Sequence, residues 1–241
     1  MKKEQSGFSL VELSVSIVII GFIMAAIVQG KNILDNAQIR SIISQFSEHQ
    51  TSANSFKLKY LQYPGDFDEA VAHWDIGTND IEDGNGDGKI QFVQGGVYEG
   101  YRAWQHLTYA RMTKANYLGT ETTGAAQLES DIPKSNQIGG FVFEHGLLAM
   151  TSGNVIALGI PLASTTTINL GSSLTAQQAF AIDNKSDGGN PSTGKVRSIE
   201  GNGSTAGTCV DANGAGTADD LYNISSGGRN CIIGISFTET P

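Results

Sequence analysis

Positive charge is scarce in this chain of 241 residues, and the shortage restricts its partners. There are 15 Lys and Arg against 24 Asp and Glu, which leaves a formal net charge of −9. Because a protein that grips nucleic-acid phosphates needs the opposite sign, no nucleic-acid partner is expected. The length allows one good-sized core, or a small domain together with an extended element.

Proline is also rare, with five in the whole chain and none before Pro64. A kink in any earlier helix would therefore have to come from glycine, and Gly21 and Gly30 are the two candidates. Glycine weakens a helix interior by about 1 kcal/mol relative to alanine. The two glycines allow either close packing of helices or local melting of the helix.

The sequence lacks any recognisable grouping of catalytic residues. Its four histidines, His49, His73, His106 and His145, fall in separate predicted elements without the spacing of metal ligands. A G-x-G-x-x-A pattern at 201–206 follows a predicted strand, but turn residues rather than a helix come after it, so it does not indicate a dinucleotide site. We therefore do not expect an enzyme.

What the sequence does have is a long apolar segment at its start, "GFSLVELSVSIVIIGFIMAAIV". From Phe8 to Val28 it holds 21 residues with a single charge, Glu12. As a helix it would span roughly 30 Å, the thickness of one hydrocarbon core. Lys2 and Lys3 precede it, as in an export signal, and they favour a cytoplasmic location for that end. A carboxylate at membrane depth is costly, which suggests that Glu12 has a function.

An ordinary cleaved signal peptide, with its apolar core from Leu13 to Ile27, is the alternative interpretation. Two features oppose it, because Glu12 interrupts the apolar core and the helical pattern continues beyond Gly30. The continuation is a stripe of residues spaced by three and four: Ile39, Ile42, Phe46, His49, Ala53, Phe56 and Tyr60. The pattern predicts a single helix from Phe8 to about Tyr60, apolar all round in its first half and amphipathic in its second.

The segment "GFSLVELSVSIVIIG" resembles the start of type IV pilins and of type II secretion pseudopilins. Their signature is a short basic leader that ends in glycine, a phenylalanine after the cut, and a glutamate five residues into the mature chain. Gly7, Phe8 and Glu12 match it in kind and spacing. The resemblance implies that a prepilin peptidase cuts between Gly7 and Phe8 and methylates the new amine of Phe8. It also implies a helical filament in which Glu12 faces the Phe8 amine of a neighbouring subunit.

The same resemblance implies the fold class and the domain organisation. We expect an α+β protein in which a long N-terminal α-helix packs on a C-terminal antiparallel β-sheet head, as in pilins. The expected parts are a leader peptide (1–7), a transmembrane and polymerisation helix (8–29), an amphipathic helix half (30–62) and a globular head (63–241).

Within the head, glycine, serine, threonine and asparagine are dense after about residue 120, which indicates strands and long turns. We predict a helix from Tyr101 to Leu118 with Trp104 in the core, and a short helix that begins after Thr175. Four segments read as strands: "GGFVFEHGLLAM", "NVIALGIPL", "GKVRSI" and "CIIGISF".

An acid-rich segment follows the long helix. Pro64 and Gly65 are expected to end that helix, and Asp66 to cap the next element. Between Gly65 and Glu99 there are nine acidic residues, and Lys89 is the one basic residue among them. Such a run is usually a solvated loop.

The stretch "DGNGDGKI" within this segment resembles the first half of an EF-hand-type calcium loop. Gln94 stands where the loop's final bidentate glutamate belongs, so Glu99 or Asp80 would have to complete the shell. The alternative is a turn of glycine and aspartate held without metal. Calcium is the one cofactor that the sequence suggests, with these candidate ligands: Asp83, Asn85, Asp87, the Lys89 carbonyl and Glu99.

The two cysteines, Cys209 and Cys231, lie near the C-terminus. An apolar N-terminal segment implies export, and an oxidising compartment allows such a pair to form a disulfide. Two unrelated buried thiols are the alternative.

The expected function is that of a structural subunit, a major or minor pilin, in a type IV pilus-like filament. A pseudopilin of a type II secretion system is the alternative, and a membrane-anchored periplasmic binding protein that does not polymerise is a second one. Expected partners are prepilin peptidase, the inner-membrane assembly machinery, other pilin subunits and membrane lipid. The chain would cross the inner membrane once with its head in the periplasm, and then enter an extracellular pilus or a periplasmic pseudopilus.

Overall fold

A computed structural model describes residues 7, 9–74, 81–93, 97–119, 125–147, 153–163, 168–211 and 220–238. The chain divides into two compact units, Met1–Arg40 and Ser41–Pro241. The helices are α1 (Leu10–Tyr60), α2 (Ala70–Trp74), α3 (Glu99–Tyr109) and α4 (Ala176–Ser186). The strands are β1 (Phe92–Val93), β2 (Val97–Tyr98), β3 (Gly140–His145), β4 (Asn154–Leu162), β5 (Asn169–Gly171), β6 (Val196–Glu200), β7 (Val210–Asp211), β8 (Leu221–Tyr222) and β9 (Cys231–Ser236). A long N-terminal helix followed by an antiparallel sheet is the α+β, pilin-like arrangement that the sequence predicted.

The first unit consists of the N-terminal part of α1. Its large apolar side chains between Leu10 and Val28 are exposed, with Leu10 at 87% and Phe22 at 74%. Within the described part of the chain, α1 is the one helix long and apolar enough to cross a membrane. Gly21 and Gly30 lie inside the helix and do not interrupt it. The predicted division at residues 29 and 62 stays a prediction, although α1 does end at Tyr60.

In the second unit, the C-terminal part of α1 packs into the core of the head. The predicted stripe is buried there: Ile42, Phe46, Ala53 and Phe56 are each at most 1% exposed. Phe46 meets Phe141 of β3 edge-on, with ring centroids 5.0 Å apart. Trp104 of α3 is fully buried, and its ring lies 4.8 Å from His49 and 4.7 Å from Phe143. The expectation that Trp104 lies in the core is therefore confirmed.

The main sheet has five antiparallel strands in the order β3-β4-β9-β6, with β5 paired to the end of β4. All four segments that were predicted as strands contribute to it. Strand β9, the last in the chain, lies in the interior of the sheet, where Gly234 pairs with Ala157 of β4 and with Arg197 of β6. The sheet therefore joins segments that are far apart in the sequence.

Of the two shorter predicted helices, one begins where it was predicted and the other is shorter than predicted. Thr175 begins α4 with a capping box, in which its Oγ1 accepts from the Gln178 N–H at 3.2 Å and Gln178 Oε1 accepts from the Thr175 N–H at 3.1 Å. The helix predicted from Tyr101 to Leu118 is instead Glu99–Tyr109. It ends early because Arg111 takes a left-handed conformation (φ 59°) and the Met112 N–H turns back to the Leu107 carbonyl at 2.8 Å.

Candidate functional site

The predicted processing site lies at the start of α1. Gly7 is exposed, whereas Phe8 lies outside the described residues, so its amine has no described position. Ser9 caps the helix: its Oγ accepts from the Val11 N–H at 3.3 Å. The Glu12 side chain turns back towards the start of the helix, where its Oε2 accepts a hydrogen bond from the Ser9 N–H at 2.9 Å. The carboxylate that the sequence assigns to subunit pairing therefore also stabilises the first turn of its own helix.

The five candidate calcium ligands are arranged around a loop, but they do not all point to one place. Asp83 Oδ1 accepts from the Val71 N–H at 2.8 Å, so this carboxylate anchors α2. Asn85 Oδ1 accepts from the Asp87 N–H at 3.0 Å, and Asp87 Oδ1 from the Lys89 N–H at 2.9 Å. Each of these last two hydrogen bonds closes a tight local turn of the kind that aspartate and asparagine favour.

Glu99, at the start of α3, holds this loop to the body of the head. It is fully buried. Its Oε1 accepts from the Asn85 N–H at 3.1 Å, and its Oε2 accepts from the Gln91 N–H at 2.9 Å. Burial raises the pKa of the Glu99 carboxyl to about 7, and the nearby Asp66 and Asp87 raise it as well. The structure therefore brings Glu99 to the loop, as predicted, but as a buried support for its backbone.

Asp66 is the residue of this site that sequence reasoning missed. It was expected to cap the next element, but its Oδ2 accepts from the Gly88 N–H at 3.0 Å and its carbonyl from the Gly86 N–H at 2.9 Å. The residue is 1% exposed, and burial raises the pKa of its carboxyl to about 6. Its position in a tight turn before an acid-rich segment was the one available signal.

Glycine is required where the loop crosses the Asp66 turn. A Cβ on Gly84 would lie 2.3 Å from the Asp66 carbonyl carbon and from the Gly65 oxygen. At Gly86 the backbone is left-handed (φ 71°), and a Cβ would lie 2.8 Å from Asp68 Oδ2. The spacing "DGNGDG" therefore serves the close approach of two backbone segments, whether or not a metal is bound.

No group of three or more His, Cys, Asp or Glu side chains in the described ranges is already gathered closely enough to hold a metal ion. Asp80, the alternative to Glu99 for completing the shell, and Gln94, which stands in place of the loop's final glutamate, lie outside those ranges. The calcium assignment stays a prediction.

The predicted disulfide is confirmed. Cys209 and Cys231 are bonded, with their Cα atoms 5.1 Å apart, and both are fully buried. A carboxylate that the sequence did not single out supports the first of them: Glu200 Oε1 accepts from the N–H groups of Gly207, Cys209 and Val210 at 3.0 to 3.1 Å. The bridge ties this segment to the beginning of β9.

The apolar, exposed helix with a prepilin-type start and the α+β head support a type IV pilin-like or pseudopilin precursor. Residues 2–28 match the family model described as the prokaryotic N-terminal methylation motif, which is the prepilin signal of both classes. The motif implies processing by a prepilin peptidase and assembly with other pilins, and with the apolar helix it fits a single-pass, membrane-anchored protein. No curated protein and no solved structure matches the chain.

Proposed function

We propose that this protein is a structural subunit of a type IV pilus-like filament and that it polymerises through the N-terminal part of α1. One observation carries the proposal. Within the matched prepilin signal, the helix from Leu10 to Val28 exposes large apolar side chains on every face, including Leu10 at 87% and Phe22 at 74%. Leaving such a surface in water costs about 25 cal/mol per Å² of apolar area, so the helix must be surrounded by lipid or by other protein.

Two environments can cover this helix without a change in its sequence. Lipid does so before assembly, and the apolar helices of neighbouring subunits do so in a filament. A surface that is equally apolar on all sides suits both, because it can leave lipid for a helical bundle without exposing polar groups. A helix made for one fixed partner inside its own chain would instead have one apolar stripe, as the second half of α1 has.

The size of the head and its buried disulfide favour a pilin, major or minor, over a pseudopilin of a type II secretion system. In this proposal the precursor lies in the inner membrane with its head in the periplasm, and the mature chain enters an extracellular pilus. Prepilin peptidase, the inner-membrane assembly machinery and other pilin subunits are its partners. Its role is structural, and no catalytic step is assigned to it.

The test is to shear cells, sediment the released fibres and identify their subunits by mass spectrometry. We expect the mature chain, beginning at Phe8, in fibres that electron microscopy shows to be filaments. An inner-membrane protein of similar abundance, absent from the fibre fraction, controls for contamination. Recovery of the mature chain in inner-membrane fractions alone would contradict the proposal and favour a membrane-anchored protein that does not polymerise.

A further inference from the structure

The loop from Asp83 to Gln91 encloses carboxylates that are unusually deep for a solvated acid-rich segment. Asp66 is 1% exposed and Glu99 is fully buried, and Asp87 of the same loop lies close enough to act electrostatically on both. Burying a charge away from water is costly unless it is paired. Asp87 is exposed to solvent, but the two buried carboxylates, Asp66 and Glu99, need a positive charge, or they need protons.

We propose that this loop, together with Asp66 and Glu99, binds a calcium ion, with Asp66 rather than Asp83 as the deep carboxylate ligand. The site is separate from the N-terminal helix and does not depend on the proposed filament role. The proposal keeps the metal that the sequence suggests, calcium, but changes the set of ligands.

The observation that carries this proposal is an oxygen without a partner. Asp66 Oδ2 accepts from the Gly88 N–H, whereas the buried Oδ1 makes no hydrogen bond of normal geometry with any part of the chain that the structure describes, although the Gly86 and Asp87 N–H groups also act on this carboxyl. A buried carboxylate oxygen left unsatisfied costs about 1–3 kcal/mol or more. A cation bound at Oδ1 would remove that cost while Oδ2 keeps its contact with the loop backbone.

Asp83 is the less suitable ligand, although it begins the calcium-like pattern in the sequence. Its Oδ1 accepts from the Val71 N–H at 2.8 Å, and the side chain is only half-buried. This contact fixes α2 and occupies one of the two carboxylate oxygens. Asp66, 17 positions earlier in the chain, enters the loop instead.

The cations near this cluster are few. Arg102 is buried on α3 and forms an ion pair with Glu82, although it also acts electrostatically on Glu99. Lys89 is exposed on the loop itself. Arg102, which already pairs with Glu82, does not balance the two buried carboxylates Asp66 and Glu99, so the local charge favours a divalent cation.

The donor chemistry favours calcium over transition metals. The available ligand atoms are carboxylate, amide and backbone carbonyl oxygens, and His and Cys do not occur between Asp83 and Gln91. Calcium accepts six to eight oxygens in irregular geometry, and a glycine-rich loop can adjust to that more easily than to the strict octahedron of magnesium. Because the side chains are not gathered in advance, binding would draw the exposed Asp87 towards the buried Asp66 and Glu99 and take carbonyls and water as further ligands.

The test uses the full chain in detergent, stripped of metal with a chelator, and calcium chloride titrated calorimetrically at pH 8. We expect one ion per chain, and a rise in melting temperature that magnesium chloride at the same concentration does not produce. Absence of calcium binding by the wild-type chain would overturn the proposal. An equal response to magnesium would overturn the assignment to calcium.

Three variants test the ligand set. Asp66→Asn and Glu99→Gln should weaken calcium binding by at least about tenfold, because the number of ligand charges sets affinity in such loops. Asp83→Asn should bind within a few-fold of wild type, since the amide oxygen can still accept from the Val71 N–H. Weak binding by Asp83→Asn with normal binding by Asp66→Asn would overturn the assignment of Asp66.

A melting measurement guards against variants that simply fail to fold. In chelator at pH 8, Asp66→Asn should melt at or above the wild-type temperature, because it removes a buried charge and its amide oxygen can keep the contact with the Gly88 N–H. Glu99→Gln is left out of this comparison, because its single amide oxygen cannot accept from both the Asn85 and the Gln91 N–H groups. In saturating calcium Asp66→Asn should melt below wild type. This reversal of order separates loss of a ligand from loss of structure. Melting below wild type under both conditions would contradict the proposal.

Discussion

Glu12 accepts a hydrogen bond from the backbone N–H of Ser9, with 2.9 Å between the nitrogen and Oε2. Ser9 in turn accepts one from the Val11 N–H. The carboxylate thus completes the cap of α1 within its own chain. Cleavage before Phe8 would create an amine one residue away from this cap. Any test of Glu12 as an inter-subunit partner must therefore separate its charge from its capping oxygen.

We predict that Glu12→Gln is exported and cleaved normally but does not enter filaments when it is the only copy. Glutamine retains an oxygen that can accept from the Ser9 N–H, but it has no charge to offset the neighbour's ammonium. Leaving one member of a buried ion pair alone costs roughly 3–5 kcal/mol, which is enough to block addition of subunits. Sheared fibres and inner membranes are compared by immunoblotting.

Glu12→Ala is the matched comparison, because it removes both the charge and the cap. If pairing of charges governs assembly, both variants fail equally. Wild-type amounts of Glu12→Gln in fibres, with loss of Glu12→Ala alone, would show that the cap matters and the ion pair does not.

We predict that Gly7→Val leaves the full-length precursor in the membrane. A Cβ on Gly7 meets no described atom within 4 Å, so the chain itself tolerates the change and the defect must arise in the peptidase. Intact mass spectrometry measures processing. Gly30→Val, at a glycine that is likewise open, is the control and should be trimmed before Phe8. Normal trimming of Gly7→Val would refute this cleavage site.

We predict that replacing both Cys209 and Cys231 with alanine lowers the free energy of unfolding by about 3 kcal/mol. The bridge closes a loop with a sequence separation of 22, and the chain-entropy model gives that magnitude for a loop of this size. Urea denaturation of the detergent-solubilised protein measures it. Because both sulfurs are fully buried, native wild-type protein should also show no free thiols and should resist mild reductant. A loss below about 1 kcal/mol would contradict the expectation.

We predict that Glu99→Gln becomes more stable relative to wild type as the pH rises, when chelator is present. Burial raises the pKa of Glu99 from 4.5 to about 7, so its favourable contribution is complete below pH 4.5 and is lost as the pH passes through 7. The difference in melting temperature, variant minus wild type, should grow between these values and then level off.

We use the difference in melting temperature between variant and wild type, because buried histidines change the stability of both proteins with pH in the opposite direction to Glu99. His106 has a pKa lowered by burial from 6.5 to about 4, so its contribution is lost as the pH falls. Glu129→Gln is the control, since Glu129 is exposed and pairs only loosely with Lys134, at 3.6 Å. A difference for Glu99→Gln that does not change with pH would count against a buried, charged Glu99.

Local patterns in the sequence predicted the elements that depend on local forces. The stripe from Ile42 to Phe56 has helical spacing, so the buried face of α1 followed directly from it. Thr175 and Gln178 have the spacing of a capping box, and α4 begins there. The prepilin signal is likewise a short contiguous motif, and residues 2–28 match it.

The acidic site could not be predicted in the same way, because its parts meet only in three dimensions. Asp66 reaches the loop through a turn after α1, and Glu99 reaches it from the start of α3. The sequence pattern made Asp83 the first candidate calcium ligand because of its place in the motif. In the structure, its carboxylate instead accepts a hydrogen bond from the backbone of α2. The end of α3 was missed because a left-handed arginine, Arg111, closes it where glycine would be expected.

Because β9 is the last of the described strands and lies inside the main sheet, β3, β4 and β5 can pair early, but the five-stranded sheet is complete only once β9 has been made. Until Cys231–Ser236 emerges, β4 and β6 have no strand between them, and the partner of Cys209 does not yet exist. Joining β4 to β6 and closing the disulfide therefore both wait for this one segment. A truncation before Cys231 would leave the pairing of β3, β4 and β5 possible but would detach β6 from the sheet and deprive Cys209 of its partner.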